Sequence, residues 1–205
     1  MSFELALKEV APIFTSDDGV ELHIRPIKST DSKTLLGFFK SLPAPELMFF
    51  KHRVTDPDVT QGWCDNIVLD ANLPLLALDE GKVVAVATLH QNKGGWKRHI
   101  GRISCSVLPK YRQKGIAGQL VQDLVDIGRM AGLQKVEAEF IDKQEGGQKM
   151  FALLGFTLEN HQGIRSTLHS CRTRNFIKNV VRVSRLAGMM NYQYSQLLLN
   201  GELLQ

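Results

Sequence analysis

The chain has 205 residues, 43% of them hydrophobic, which is enough for one sizeable core and short of what two full domains need. No apolar run approaches the roughly 18 residues of a membrane span, and the start MSFELALKEV lacks a basic-then-apolar export layout, so the expected setting is cytoplasmic, with no membrane partner. The net charge of +4 invites a nucleic-acid reading, but no helix-turn-helix, zinc-finger or aromatic RNA-binding signature accompanies it, which argues against that class.

In chain order, Val10–Thr15 and Val20–Ile27 are apolar, β-favouring segments on either side of Asp18-Gly19, a tight-turn dipeptide, and predict an antiparallel hairpin. A helix is expected from Thr30 to Leu42, with Ser29, Thr30 and Asp31 as N-cap candidates, Pro43 as its stop, and Leu35, Leu36, Phe38, Phe39 and Leu42 on its buried side. Pro45–Arg53 reads as a second short helix and Asp58–Ile67 as a third helical turn. Leu73–Leu78 and Lys82–Gln91 read as strands joined by the turn Asp79-Glu80-Gly81.

Ile103–Leu108 then forms an apolar strand that enters the turn Arg112-Gln113-Lys114-Gly115-Ile116-Ala117-Gly118, and this opens directly into an amphipathic helix. Gly115, Ala117 and Gly118 carry little or no side chain, so successive backbone N–H groups can face one concavity. The first N–H groups of the helix lack intrahelical acceptors and sit at the positive end of its dipole, which suits a pyrophosphate; Arg112 and Lys114 add full charges. It is not a P-loop, because Lys114 precedes Gly115 and no Ser/Thr stands at the magnesium position, and it is not a dinucleotide turn, because the glycine spacing differs. The helix carries Ala117, Leu120, Val121, Leu124, Gly128 and Ala131 on one stripe, with Gly132 as its C′ residue. A strand over Lys135–Ile141, a short helix over Gln144–Leu154 and another extended run from Thr157 follow.

Arg112, Gly115 and Ala117 satisfy the pattern Arg/Gln-x-x-Gly-x-Gly/Ala, which resembles the acetyl-CoA pyrophosphate loop of the GNAT family of N-acetyltransferases. The order strand, loop, helix, strand, helix, Gly155-Phe156, strand resembles the family's CoA-binding half. The hairpin is similar to the opening of a bacterial subgroup, so the resemblance covers roughly Val10–His169. It implies a single α/β (α+β) domain with a mixed, mostly antiparallel twisted sheet flanked by helices, spanning 1–186, with 187–205 as a C-terminal extension. It also implies acetyl-CoA as donor substrate, bound by Val107, Arg112, Gln113, Lys114, Gly115, Ile116, Ala117, Gly118, Gln144 and Phe151. The strands Ile103–Leu108 and Val136–Ile141 would splay so that the pantetheine arm lies between them. A backbone N–H near Val107 would stabilise the oxyanion, an effect of about 3 kcal/mol per well-placed donor.

The resemblance further implies direct attack by a primary amine, so the protein must supply position, a proton sink and a proton source. The glutamate that some members carry before the loop strand is absent from Arg98-His99-Ile100-Gly101, which leaves His99 as the nearest titratable substitute. Glu137 and Glu139 alternate onto one side of their strand, where they could raise one another's pKa and capture a cationic amine, or else pair with a lysine or arginine on an exposed face. Where many members have a tyrosine near the leaving sulfur, this chain has Phe151, so the thiolate would take its proton from solvent. These departures leave a catalytically silent acetyl-CoA-binding module as the alternative function.

Cys64, Cys105 and Cys171 are scattered, without metal spacing or an even set, and read as reduced thiols; Cys105, ahead of the loop, reads as a small buried hydrophobe rather than a nucleophile. His90, His161 and His169 receive no role. Phe49, Phe50, His52 and Trp63 suggest an enclosed aromatic acceptor pocket or ordinary core. Between Arg165 and Arg185 stand Arg165, Arg172, Arg174, Lys178, Arg182 and Arg185 with no acidic residue, and Phe176–Leu186 reads as a last strand. The final 187–205 could form an amphipathic helix packing on the domain or on a second copy in a homodimer, or a frayed tail.

Overall fold

The computed structural model describes residues 2–48, 50–141, 145–162 and 180–186. In chain order they form α1 (Phe3–Ala6), β1 (Ile13–Thr15), β2 (Glu21–Pro26), α2 (Ser32–Lys40), α3 (Ala44–Leu47), α4 (Pro57–Asp65), β3 (Asn72–Asp79) and β4 (Lys82–Gln91). There follow β5 (Ile100–Val107), α5 (Ile116–Met130), β6 (Lys135–Ile141), α6 (Glu145–Leu153), β7 (Thr157–Gln162) and β8 (Val180–Leu186). The strands build one sheet in the order β1-β2-β3-β4-β5-β6-β8-β7, antiparallel throughout except between β5 and β6. This is the mixed, mostly antiparallel α/β architecture expected from the sequence.

The near-continuous apolar runs of β3 and β4 arise because the sheet centre is covered on both faces. Leu73, Leu75, Ala85, Ala87 and Leu89 pack with Leu120, Leu124 and Ile127 of α5. Leu76, Leu78 and Val83 pack on the opposite face with Leu35, Phe38, Phe39 and Cys64. The α5 stripe is wider than expected, because Ile116, Val125 and Ile127 are buried as well. A Schellman motif closes this helix: Gly132, at φ 92°, donates to the Arg129 carbonyl at 3.0 Å and Leu133 donates to the Gly128 carbonyl at 2.9 Å.

The hairpin forms as expected, with Phe14 opposite Leu22 and Gly19 at φ 84° in the turn. α3 is shorter than the expected Pro45–Arg53 helix. Its chain turns away after Leu47, and Phe50 and Val54 pack into the α2-side core instead of continuing a helical stripe. β5 starts at Ile100 rather than Ile103; Gly101 lets it pass under the core, since a Cβ there would lie 2.7 Å from Leu133 Cδ1 and 2.8 Å from Leu89 Cδ1.

Phe49, Gln144, His169, Cys171, the basic residues Arg165, Arg172, Arg174 and Lys178, and the extension 187–205 lie outside the described residues. Among the described residues, no helix is long and apolar enough to cross a membrane.

Candidate active site

The turn between β5 and α5 has the shape of an anion cradle. Gln113 (φ 59°) and Gly115 (φ 77°) are both left-handed, and Gly115 is the N-cap of α5 without any side-chain cap. Such alternation of backbone handedness turns successive amides inward. The Gln119 N–H is bonded to the Gly115 carbonyl at 3.0 Å, so the amides of Ile116, Ala117 and Gly118 precede that helical bond and face the open end. The cradle backs onto the β1–β2 turn: Asp17 donates its N–H to the Lys114 carbonyl at 3.2 Å.

The two cations of the turn are not free charges. The Arg112 guanidinium forks onto Glu46, with one nitrogen 2.8 and 2.7 Å from the two carboxylate oxygens, while its Nε donates to the Val107 carbonyl at 3.0 Å. Lys114 Nζ lies 2.6 Å from Asp18 and 5.3 Å from the centre of the Tyr111 ring. Tyr111 is itself anchored by donating to Asp79 at 2.6 Å, which pushes its pKa up to about 12. Both cations line the cleft while held in partly exposed ion pairs, so their charge adds to the attraction of the amides and the helix dipole.

Beside the cradle the sheet opens. The parallel β5–β6 ladder runs only from Ile100–Lys135 to Ile103–Ala138; beyond it β6 continues against β8 while β5 continues against β4 to Val107. Leu108 donates to the Val84 carbonyl at 3.0 Å, making that a hydrogen-bonded pair. By the alternation of an antiparallel ladder, Val107 and Cys105 therefore turn their amides away from β4 and toward the notch. The notch floor includes Phe151, which is buried and stacks edge-to-face on Phe156 at 5.0 Å. Cys105 packs against the core, and burial pushes its thiol up to about 12, leaving it protonated and a poor nucleophile.

Cradle and notch belong to one open cleft of about 2830 Å³, well beyond the roughly 300–1,000 Å³ of drug-sized sites, so a long ligand fits. Its far wall is the sheet face carrying Asn72, His90, Arg102, Ser104, Glu137 and Glu139, with Phe50, His52 and Trp63 opposite. These aromatics join Phe39 in a chain of edge-to-face contacts: Phe39–Phe50 at 5.3 Å, Phe39–Trp63 at 5.9 Å and His52–Trp63 at 5.9 Å. Glu137 lies 3.0 Å from Lys135, and Glu139 lies 3.7 Å from Arg102, so each carboxylate faces a cation.

His99 is not brought to this site. It precedes β5 at the end away from the loop, its carbonyl accepting from Gln134 at 2.9 Å, and eight extended residues separate it from Val107, about 26 Å. Gln144 lies outside the described residues. Sequence reasoning passed over His90. Its Nδ1 is 2.7 Å from Asn72 Oδ1 and its Nε2 is 3.3 Å from Ser104 Oγ. The signal that could have found it is strand pairing, because the β3–β4 hairpin puts Asn72 directly opposite His90.

The acetyltransferase (GNAT) family model matches residues 39–156, more than half of the chain. The chain belongs to the GNAT family. The matched span holds the notch, the cradle and the aromatic wall together. Solved GNAT structures share the fold at low identity. The ribosomal-protein-S5-alanine acetyltransferase from Vibrio fischeri is 21% identical over 82% of this chain and 93% of its own, with a TM-score of 0.68. Mycobacterium smegmatis RimJ in complex with CoA-disulfide is 16% identical over 94% of both chains, also with a TM-score of 0.68. The Salmonella typhimurium protein yncA, a putative acetyltransferase solved with its cofactor acetyl-CoA, is 15% identical over 82% of this chain and 95% of its own, with a TM-score of 0.66. No curated protein sequence matches the chain.

Proposed function

We propose that this GNAT protein binds acetyl-CoA and moves its acetyl group directly to a primary amine of a small molecule or protein. The observation that carries the reading is the continuity of cradle and notch: the strand whose amides at Cys105 and Val107 face the gap runs straight into the turn whose amides face an anion. The complexes of the Salmonella and mycobacterial proteins with acetyl-CoA and CoA-disulfide support it.

In this reading the diphosphate sits on the amides of Gln113, Lys114, Gly115, Ile116, Ala117 and Gly118. Arg112 acts from behind, holding the end of β5 to the turn through the Val107 carbonyl. The pantetheine arm lies along the open edge of β5, and the Val107 N–H polarises the thioester carbonyl and holds the oxyanion that forms when the amine attacks. Phe151 borders the arm; its buried ring gives an apolar floor and no acidic proton. Glu137 and Glu139 supply negative charge for a cationic acceptor. The aromatic chain Phe39, Phe50, His52 and Trp63 forms the opposite side of the acceptor pocket.

The test is CoA release from acetyl-CoA across an amine panel: a peptide with a free N-terminal alanine, a peptide with one lysine, and spermidine. Release with one of these, and an acetylated product by mass spectrometry, is the expected result. Calorimetric binding of acetyl-CoA with no release from any amine would favour the silent binding module.

A further inference from the structure

Three side chains on three adjacent strands converge on the root of the notch. Asn72 of β3 stands opposite His90 of β4, and Ser104 of β5 lies one diagonal step beyond the Arg102 that pairs with His90. Ser104 is the first β5 residue past the end of the β5–β6 ladder, so it marks the point where the two strands part. The contact of 2.7 Å from His90 Nδ1 to an amide oxygen requires Nδ1 to carry the proton, because Asn72 Oδ1 can only accept. Nε2 then holds the lone pair, and its contact at 3.3 Å to Ser104 Oγ aims that lone pair at the notch root. All three side chains line the cleft.

From this geometry we infer that His90 is the general base of the transfer, with Asn72 as the residue that positions it. The inference rests on the acetyl-transfer reading above. Burial of the ring, then Lys51 and then Arg102, lower the His90 pKa below its ordinary value, so the ring is neutral and basic at neutral pH. The charged groups facing it are Lys51 from the segment after α3 and Arg102 on β5, the latter paired with Glu139 on β6.

The step balances as follows. The acceptor ammonium releases one proton to solvent, and the amine lone pair forms the C–N bond at the thioester carbonyl carbon. Nε2 takes, through water in the open cleft, the proton that the new amide nitrogen must shed. The C–S bond breaks with its electron pair on sulfur, and the imidazolium returns its proton to the thiolate by the same water path. Amide, CoA thiol and neutral His90 remain. A returning histidine proton accounts for a site in which Phe151 stands where a phenolic acid would otherwise serve.

The experiment uses the full chain, acetyl-CoA and whichever amine of the three-member panel is turned over fastest. His90→Gln should lower kcat by about 100-fold or more, the span of general base catalysis, while the Kd for acetyl-CoA and the unfolding temperature stay at wild-type values. Asn72→Asp keeps an acceptor for Nδ1–H but adds a charge that raises the His90 pKa, so the acidic limb of the kcat/KM profile should move to higher pH with little change in KM. Wild-type kcat in folded His90→Gln, or an unmoved limb in Asn72→Asp, overturns the inference and leaves the acetyl-transfer reading standing. A wild-type chain that binds acetyl-CoA but acetylates none of the three amines overturns both.

Discussion

Arg112 and Glu46, 66 residues apart in sequence, meet in a two-oxygen fork at 2.8 and 2.7 Å, and the same guanidinium holds the Val107 carbonyl at 3.0 Å. One side chain thus ties together the end of β5, the cradle and the short α3 that starts the acceptor side. The cation that looks, from the sequence, like a phosphate ligand also clamps the end of β5 to α3.

A double-mutant cycle tests the clamp. Arg112→Ala and Glu46→Ala should each lower the unfolding temperature slightly, and the double variant should lose less than their sum. A coupling of roughly 0.2–1 kcal/mol is expected, since both side chains are partly exposed and screened. Additive losses in thermal unfolding would mean that the pair does not act as one unit.

The cradle depends on Gly115. At φ 77° any other residue is strained, and a Cβ there would lie 3.1 Å from Asp17 Oδ1. Gly115→Ala should therefore cost about 1–2 kcal/mol, appearing mostly as acetyl-CoA affinity weakened by about 10-fold in calorimetry, because the distortion falls on the amides that face the anion. Unchanged affinity would show that the anion does not need this backbone.

Most of the fold was legible from period and punctuation. Asp18-Gly19 and Glu80-Gly81 marked their hairpins, and the Gly115 start and Gly132 stop bracketed α5. What the sequence hid was pairing across it. Arg112 is paired with a residue 66 positions away, and Lys114 with one 96 positions away, so neither ion pair can be read locally. His90 became visible only once the β3–β4 and β4–β5 registers placed Asn72 and Ser104 against its two nitrogens. His99 shows the opposite case: it is close in sequence to the loop strand but lies at that strand's far end.

Gly101 tests the packing that starts β5. Its missing side chain makes room for Leu133 and Leu89, which a Cβ would approach at 2.7 and 2.8 Å. Gly101→Val should destabilise by about 1–3 kcal/mol through overpacking, lowering the unfolding temperature by several degrees. A wild-type melting curve would mean that β5 can shift without loss.

Two carboxyl groups make opposite contributions to the pH dependence of stability. The forked Arg25 guanidinium, at 2.6 and 2.8 Å, and the Lys28 amide hold Asp31 below its ordinary pKa. Its contribution is present above the unfolded value near 3.8 and is lost as pH falls through the lower folded value, so Asp31→Asn should destabilise at pH 7 and flatten the acid limb. Burial, with Asp126 adding to it and the Gln119 hydrogen bond opposing, pushes Asp123 up to about 6, and its Oδ2 is buried without a partner. Stability from this group is full below pH 3.8 and falls as pH rises through about 6, so Asp123→Asn should raise the unfolding temperature at pH 8 and leave it unchanged near pH 3.5. Melting curves across pH read both, and an Asp123→Asn variant destabilised at pH 8 would refute the second assignment.

The central claim is that one continuous stretch of backbone, from the notch edge of β5 through the cradle, receives acetyl-CoA. An amide-resolved nuclear magnetic resonance titration with acetyl-CoA tests it most directly. The account predicts the largest saturable shifts at the N–H groups of Cys105, Val107 and Gln113 to Gly118. Shifts confined to other surfaces, or none at saturating ligand, would contradict it.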